Sequence, residues 1–140
     1  TPNDVLEAAE TLASRTGAVV VLKGAPTVIA LPDGTSFVNL SGNPGMATGG
    51  TGDVLTGVIA SLMGQGLSPE DAAISGVYWH GLAADLSADR VGERGLLACD
   101  IVDTLPEAER LIGTGNSRSR YMDYQPLSDG MSPHGTDRDG

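Results

Sequence analysis

The chain has 140 residues, a formal net charge of −10, 40% hydrophobic residues and a single cysteine. So acidic a protein is a poor candidate for non-specific nucleic-acid binding, which rests on Lys and Arg neutralising phosphates. No apolar run approaches the ~20 residues that span a bilayer, and no charged-then-apolar leader is visible, so a soluble globular domain, or a piece of one, is expected without a membrane partner.

Taken in chain order, Thr1-Pro2-Asn3-Asp4 supplies cap residues ahead of Val5, Leu6, Ala8, Ala9 and Leu12, which predicts a helix ending near Gly17. Ala18 through Gly24 is a β-branched run bounded by glycines, as expected for a strand buried on both faces. Thr27–Leu31 is a second strand, and Pro32-Asp33-Gly34-Thr35 turns it back into Ser36–Asn39 as a hairpin. A glycine-rich loop follows, then a helix from about Asp53 to Gly64 carrying Val54, Leu55, Val58, Ile59 and Leu62. Ser68 and Pro69 open another helix, whose small residues Ser75, Gly76 and Gly81 predict close packing against a neighbour. A last helix is expected from Asp100 to Ile112, with Asp100 as its cap and Pro106 near its start or breaking it in two. These elements give an α/β layered domain over residues 1–112. From Gly113 to Gly140 aliphatic residues almost vanish, which predicts a disordered tail.

Some individual residues read as structural. Cys99 has no partner for an internal disulfide, which fits a reducing, cytoplasmic compartment, and its apolar neighbours suggest a small buried residue. His80 has no second histidine or cysteine at ligand spacing and reads as a packed or partly exposed helix residue. Asp85, Asp89, Arg90, Glu93 and Arg94 read as a solvated helix end and loop.

The chemistry concentrates between Gly42 and Gly57. Five glycines fall between Gly42 and Gly52, and Asp53 follows at the start of an apolar helix. Gly49, Gly50 and Gly52 let backbone N–H groups approach a ligand and form a concave nest, with the positive end of a helix behind it. Such a nest binds phosphate without any basic side chain. The plainer alternative is a turn in which Thr51 or Asp53 caps the helix. Lys23, the sole lysine, either snorkels from a strand end or meets a ligand there. Asn43 either forms an Asx-turn or helps hold the loop or a cation.

Lys23-Gly24-Ala25-Pro26-Thr27, Asn43 through Gly57, and Gly95-Leu96-Leu97-Ala98-Cys99-Asp100-Ile101 closely resemble the NAD(P)H-hydrate dehydratases of the ribokinase-like superfamily, over roughly residues 3–112. The resemblance implies the C-terminal part of a ribokinase-like three-layer α/β/α domain, because the family's dehydratase domain is longer than the folded region here. In bacteria and archaea that domain often follows an epimerase domain in one bifunctional repair enzyme. The implied activity removes water from hydrated NADH or NADPH at the expense of ADP or ATP as co-substrate, with Mg²⁺. By the same resemblance Lys23, Gly24, Ala25, Pro26, Thr27, Gly49, Gly50, Thr51 and Gly52 bind nucleotide. Asp53 is the catalytic residue that meets the substrate hydroxyl, Asn43 assists on the substrate side, and no residue is assigned as a metal ligand. A homo-oligomer is expected. A small-molecule kinase of the superfamily, or an inactive nucleotide-binding fragment, are the alternatives; the lead-in Asn43 to Gly50 favours the dehydratase.

Overall fold

The computed structural model describes residues 1–113 and 125–126. Helix α1 (Pro2–Thr16) opens on a reciprocal capping box between Thr1 and Asp4 and closes at Gly17. Three short strands follow, β1 (Val20–Leu22), β2 (Thr27–Ala30) and β3 (Ser36–Asn39), then a 3₁₀ turn at Pro44–Ala47 and helix α2 (Thr51–Gly64). Helix α3 (Pro69–Val91) leads through a second 3₁₀ turn, Glu93–Gly95, to helix α4 (Ala98–Gly113). Strand β4 (Gln125–Pro126) completes the sheet. Those two residues fall inside the segment predicted to be a disordered tail; residues 114–124 and 127–140 lie outside the described residues.

The sheet runs in the order β1-β2-β3-β4 and is antiparallel throughout. Asp33-Gly34 makes the β2–β3 hairpin as its sequence demands. The Thr35 N–H bonds the Asp33 carboxylate at 2.8 Å, Leu31 N–H bonds the Thr35 carbonyl at 2.8 Å, and Ala30 faces Ser36. Buried Ser36 gives its hydroxyl proton to Glu10 of α1 at 2.8 Å, so the strand's polar side chain is satisfied by the covering helix.

Strand periodicity sorts the apolar residues into two cores. Val20, Leu22, Val28, Ala30 and Val38 pack on Leu6, Ala9 and Ala13 of α1. Their sequence neighbours Val19, Val21, Ile29, Leu31 and Phe37 pack on the other side, against Leu55 and Ile59 of α2 and Ala73, Ile74 and Val77 of α3. Three layers, α1 over the sheet over α2 and α3, follow from this alternation. Helix α4 lies on α3 through Leu82, Ala83, Leu86, Ile101 and Ala108.

The helices depart from expectation in three places. Helix α2 begins at Thr51, two residues ahead of Asp53, because Gly50 holds φ at +89° and takes the N-cap position; a left-handed cap of this kind suits a residue without a Cβ. Neither Thr51 nor Asp53 is therefore the cap. Helix α4 continues through Pro106, and the Trp79 indole donates to the carbonyl of the preceding Leu105 at 2.8 Å, fastening α3 to the helix just before its proline. Asp100 stands in the first turn of α4 and reaches back to the Leu97 N–H at 2.8 Å, so it is not itself the N-cap. Cys99 is exposed, not buried, since the buried stripe of α4 passes through Ile101, Thr104 and Ala108.

Close packing along α3 is as Gly76 and Gly81 predicted, whereas Ser75 is exposed. Buried Gly81 lies so near Ser41 that a Cβ there would stand 2.1 Å from the Ser41 hydroxyl, and a Cβ on Gly76 would meet Ile59 at 2.8 Å. Among the described residues no helix is long and apolar enough to cross a membrane.

Candidate functional site

A cleft of about 580 Å³ opens where β1 ends, β2 begins and β3 runs out into the loop before α2. One wall is Lys23 through Thr27, closed on itself by the Thr27 hydroxyl donating to the Gly24 carbonyl at 3.2 Å; the Ala25–Pro26 peptide is cis. The opposite wall is the Asn39–Ala47 segment, and Leu55, Val77 and His80 form the floor.

The loop wall is tightly determined. Buried Asn39 donates to the Ser41 carbonyl at 3.1 Å and accepts the Ser41 N–H at 3.2 Å. Asn43 accepts the Gly45 N–H at 3.0 Å, which is the Asx-turn, and donates to Asp85 at 2.9 Å. Asp85 accepts the Gly42 N–H as well, at 2.9 Å, so this acid of α3 clamps the loop and is half-buried rather than solvated. Burial raises its pKa above the ordinary value, against the lowering effect of the bonds from Asn43 and Gly42.

The start of α2 meets the cleft through Lys23. Its Nζ lies 3.4 Å from the hydroxyl oxygen of buried Thr51 and 3.5 Å from where a Gly52 Cβ would stand. Thr51 in turn reaches back to the Met46 carbonyl at 2.7 Å and the Thr48 carbonyl at 3.0 Å, which binds the loop to the helix and leaves α2 with no side-chain cap. First-turn N–H groups without such a cap remain available to an anion. Of the residues singled out from sequence, Lys23, Gly24, Ala25, Pro26, Thr27 and Asn43 line the cleft. Gly49, Gly50, Thr51 and Gly52 are not among its lining residues, although Thr51 and Gly52 lie against Lys23, and Asp53 is exposed on the first turn of α2 outside the cleft lining.

Sequence reasoning passed over His80. It is 1% exposed, lines the cleft, and its Nε2 is a buried atom without a hydrogen-bond partner among the described residues. Burial and then the nearby Lys23 charge push its pKa down to about 4, against a weaker opposing bond to the Thr51 backbone. A signal was present: His80 falls in helical phase with Ala73, Val77 and Ala84, all buried, so it is the polar member of an apolar face.

The layers and the site together define a class first, a portion of an α/β/α domain that sets a lysine against a glycine-led helix N-terminus at the strand ends. The chain belongs to the NAD(P)H-hydrate dehydratase family, whose profile matches residues 1–107. It is 53% identical over 107 residues to the bifunctional NAD(P)H-hydrate repair enzyme Nnr of Thermofilum pendens, covering 76% of this chain and 20% of that protein. Against the ADP-dependent (S)-NAD(P)H-hydrate dehydratase of Bacillus subtilis the identity is 43% over 100 residues, covering 71% of this chain and 36% of that one. The crystal structure of ADP/ATP-dependent NAD(P)H-hydrate dehydratase from Bacillus subtilis, co-crystallised with ATP/Mg²⁺, matches with a TM-score of 0.74 and 39% identity over 78% of this chain and 39% of that chain. The chain thus spans well under half the length of these relatives.

Proposed function

We propose that residues 1–112 are the C-terminal part of a dehydratase domain that restores NADH and NADPH from their hydrated forms at the expense of ADP or ATP. The observation that carries the reading is the placement of Lys23 beside the uncapped start of α2, at the mouth of the cleft. The relatives' dependence on ADP or ATP supports it.

Hydroxide leaves poorly, so the reaction is best served by phosphoryl transfer to the substrate hydroxyl, in which a new P–O bond forms and the nucleotide's terminal P–O bond breaks. Phosphate then departs with the C–O electron pair, and loss of a proton gives the reduced dinucleotide. Such a transfer asks the protein for in-line positioning and charge stabilisation. Lys23 and the N–H groups of Gly52 and its neighbours supply positive potential to phosphate oxygens, and Gly24 through Thr27 form the nucleotide's wall. Exposed Asp53 accepts the hydrogen bond of the substrate hydroxyl and takes its proton as transfer proceeds. Asn43 shapes the substrate side through its turn. Mg²⁺ belongs with the nucleotide in this reading. Among the described residues no three His, Cys, Asp or Glu side chains gather to hold a metal ion. A cytoplasmic homo-oligomer completes the proposal, the former in keeping with unpaired Cys99.

The test is an incubation of the full-length protein with hydrated NADH, ADP or ATP, and Mg²⁺, following the return of reduced-nicotinamide absorbance. Recovery with either nucleotide is expected. No recovery, with phosphorylation of a sugar or vitamin-precursor alcohol instead, would move the protein to the small-molecule kinases.

A further inference from the structure

The His80 ring carries more information than its burial alone. A neutral imidazole has one N–H and one bare lone pair. Its low pKa makes the neutral form the one present at pH 7. The bond to the Thr51 backbone favours the protonated ring, as a ring N–H given to a carbonyl does; because Nε2 has no partner, that N–H sits on Nδ1. Nε2 is therefore an acceptor with no donor, on a residue that lines the cleft. An unsatisfied buried acceptor is costly to keep unless something completes it.

An ionised phosphate oxygen cannot be that partner, since it too is an acceptor. Protonating the ring to suit them is opposed both by burial and by Lys23. Lys23 is the group nearby that does suit an anion.

We propose that His80 is a specificity-determining residue of the cleft, its Nε2 accepting a hydrogen bond from an uncharged O–H or N–H donor on the nucleoside portion of the ligand while Lys23 takes the phosphate. The inference rests on the reading of the cleft as a nucleotide site. Its donor is carried either by the adenine nucleotide or by the hydrated nicotinamide dinucleotide, which titration with each separates.

Long-range ¹H–¹⁵N spectra of the full-length protein at pH 7, with His134→Gln removing the other histidine signal of this chain, report the tautomer directly. The Nδ1-protonated neutral ring is expected. The Nε2 resonance should move upfield on adding ADP in one arm or hydrated NADH in the other, and stay in place with inorganic pyrophosphate. His80→Phe should weaken the ligand that moved the resonance roughly tenfold, the worth of about one buried hydrogen bond, without changing pyrophosphate affinity. His80→Gln, whose amide oxygen can reach toward the same donor, should recover part of that loss. The opposite tautomer, a shift caused by pyrophosphate, or a resonance unmoved while both ligands bind overturns the inference. Failure of ADP to bind at all overturns the nucleotide reading instead; in that event hydrated NADH decides the role of His80, a shift supporting it and an unmoved resonance removing it.

Discussion

Asp85 and Asn43 are joined by a 2.9 Å hydrogen bond across 42 residues of chain, from the Asn43 amide to the Asp85 carboxylate. The second carboxylate oxygen takes the Gly42 N–H at the same distance, so both oxygens are acceptors. Asp85→Asn puts an amide donor against one of two donors, and a loss of about 1–3 kcal/mol of stability is expected. Urea unfolding of the two proteins measures it. Because burial raises the native pKa, the wild-type acid binds its proton more tightly than the unfolded chain does, and its contribution falls as pH rises through that range. Asp85→Asn should lack this component; an identical pH dependence in both proteins would show that burial does not raise the pKa of this acid.

His80 has the opposite sign. Its native pKa of about 4 lies below the ordinary 6.5, so on acidification the unfolded chain takes up a proton before the native state does. The neutral ring's contribution is intact above about pH 6.5 and is lost progressively toward pH 4, about 3 kcal/mol in all. Wild type should lose stability between pH 7 and pH 5 more steeply than His80→Gln. Equal losses in urea melts at the two pH values would show that the ring does not titrate as described.

Asp53→Asn keeps the shape of the first turn of α2 and removes the proposed proton acceptor. Dehydration of hydrated NADH should fall by roughly 10²–10⁴ while ADP affinity stays nearly unchanged. Full activity in this variant would take Asp53 out of the reaction.

Lys23→Met removes the charge beside Thr51 but keeps an apolar stem of similar length. Calorimetry should show roughly tenfold weaker binding of both ADP and pyrophosphate, as a lost charge-assisted hydrogen bond implies. A loss confined to ADP would place the lysine against the nucleoside rather than the phosphate.

Gly81→Ala introduces a Cβ at 2.1 Å from the Ser41 hydroxyl, with the Ser41 backbone also within 3.0 Å. Backbone cannot move aside as a flexible side chain can. The expected cost is about 1–3 kcal/mol, read as a lower urea midpoint. Ser41→Gly in the same chain should return part of it, since the nearest clashing atom is then gone.

Much of the layered fold was legible because its signals are local. The Asp33-Gly34 turn, the Ser68-Pro69 helix start and the Gly17 stop each act within a few residues. The sheet's antiparallel β1–β2 pairing was less so, since Lys23 through Pro26 join the strands in place of a familiar two-residue hairpin turn. The first residue of α2 was misplaced because Gly50, which has no side chain to announce a cap, holds that position. Cys99 and Asp85 were misjudged by their sequence neighbours. One faces solvent among apolar residues, and the other is drawn inward by donors some 40 residues away. Lys23 through Thr27 and Asn43 were read from motifs and do line one cleft; His80 reaches the same cleft from a helix whose face had to be folded before its partners could be seen.

The alternation of β1, β2 and β3 between two unlike cores also acts as a check on assembly. On the α1 side Ala9 and Ala13 meet Val20, Leu22, Val28, Ala30 and Val38 of the strands, whereas the α2–α3 side takes Val19, Val21 and the bulkier Ile29, Leu31 and Phe37. A slip of one residue in strand pairing would exchange the two sets, pressing Ile29, Leu31 and Phe37 on α1 and leaving smaller side chains to fill the opposite face. Each face thus rejects the error that the other would also reject. Three strands of three or four residues, with few backbone bonds of their own, keep one alignment because the helices on both sides read it at once.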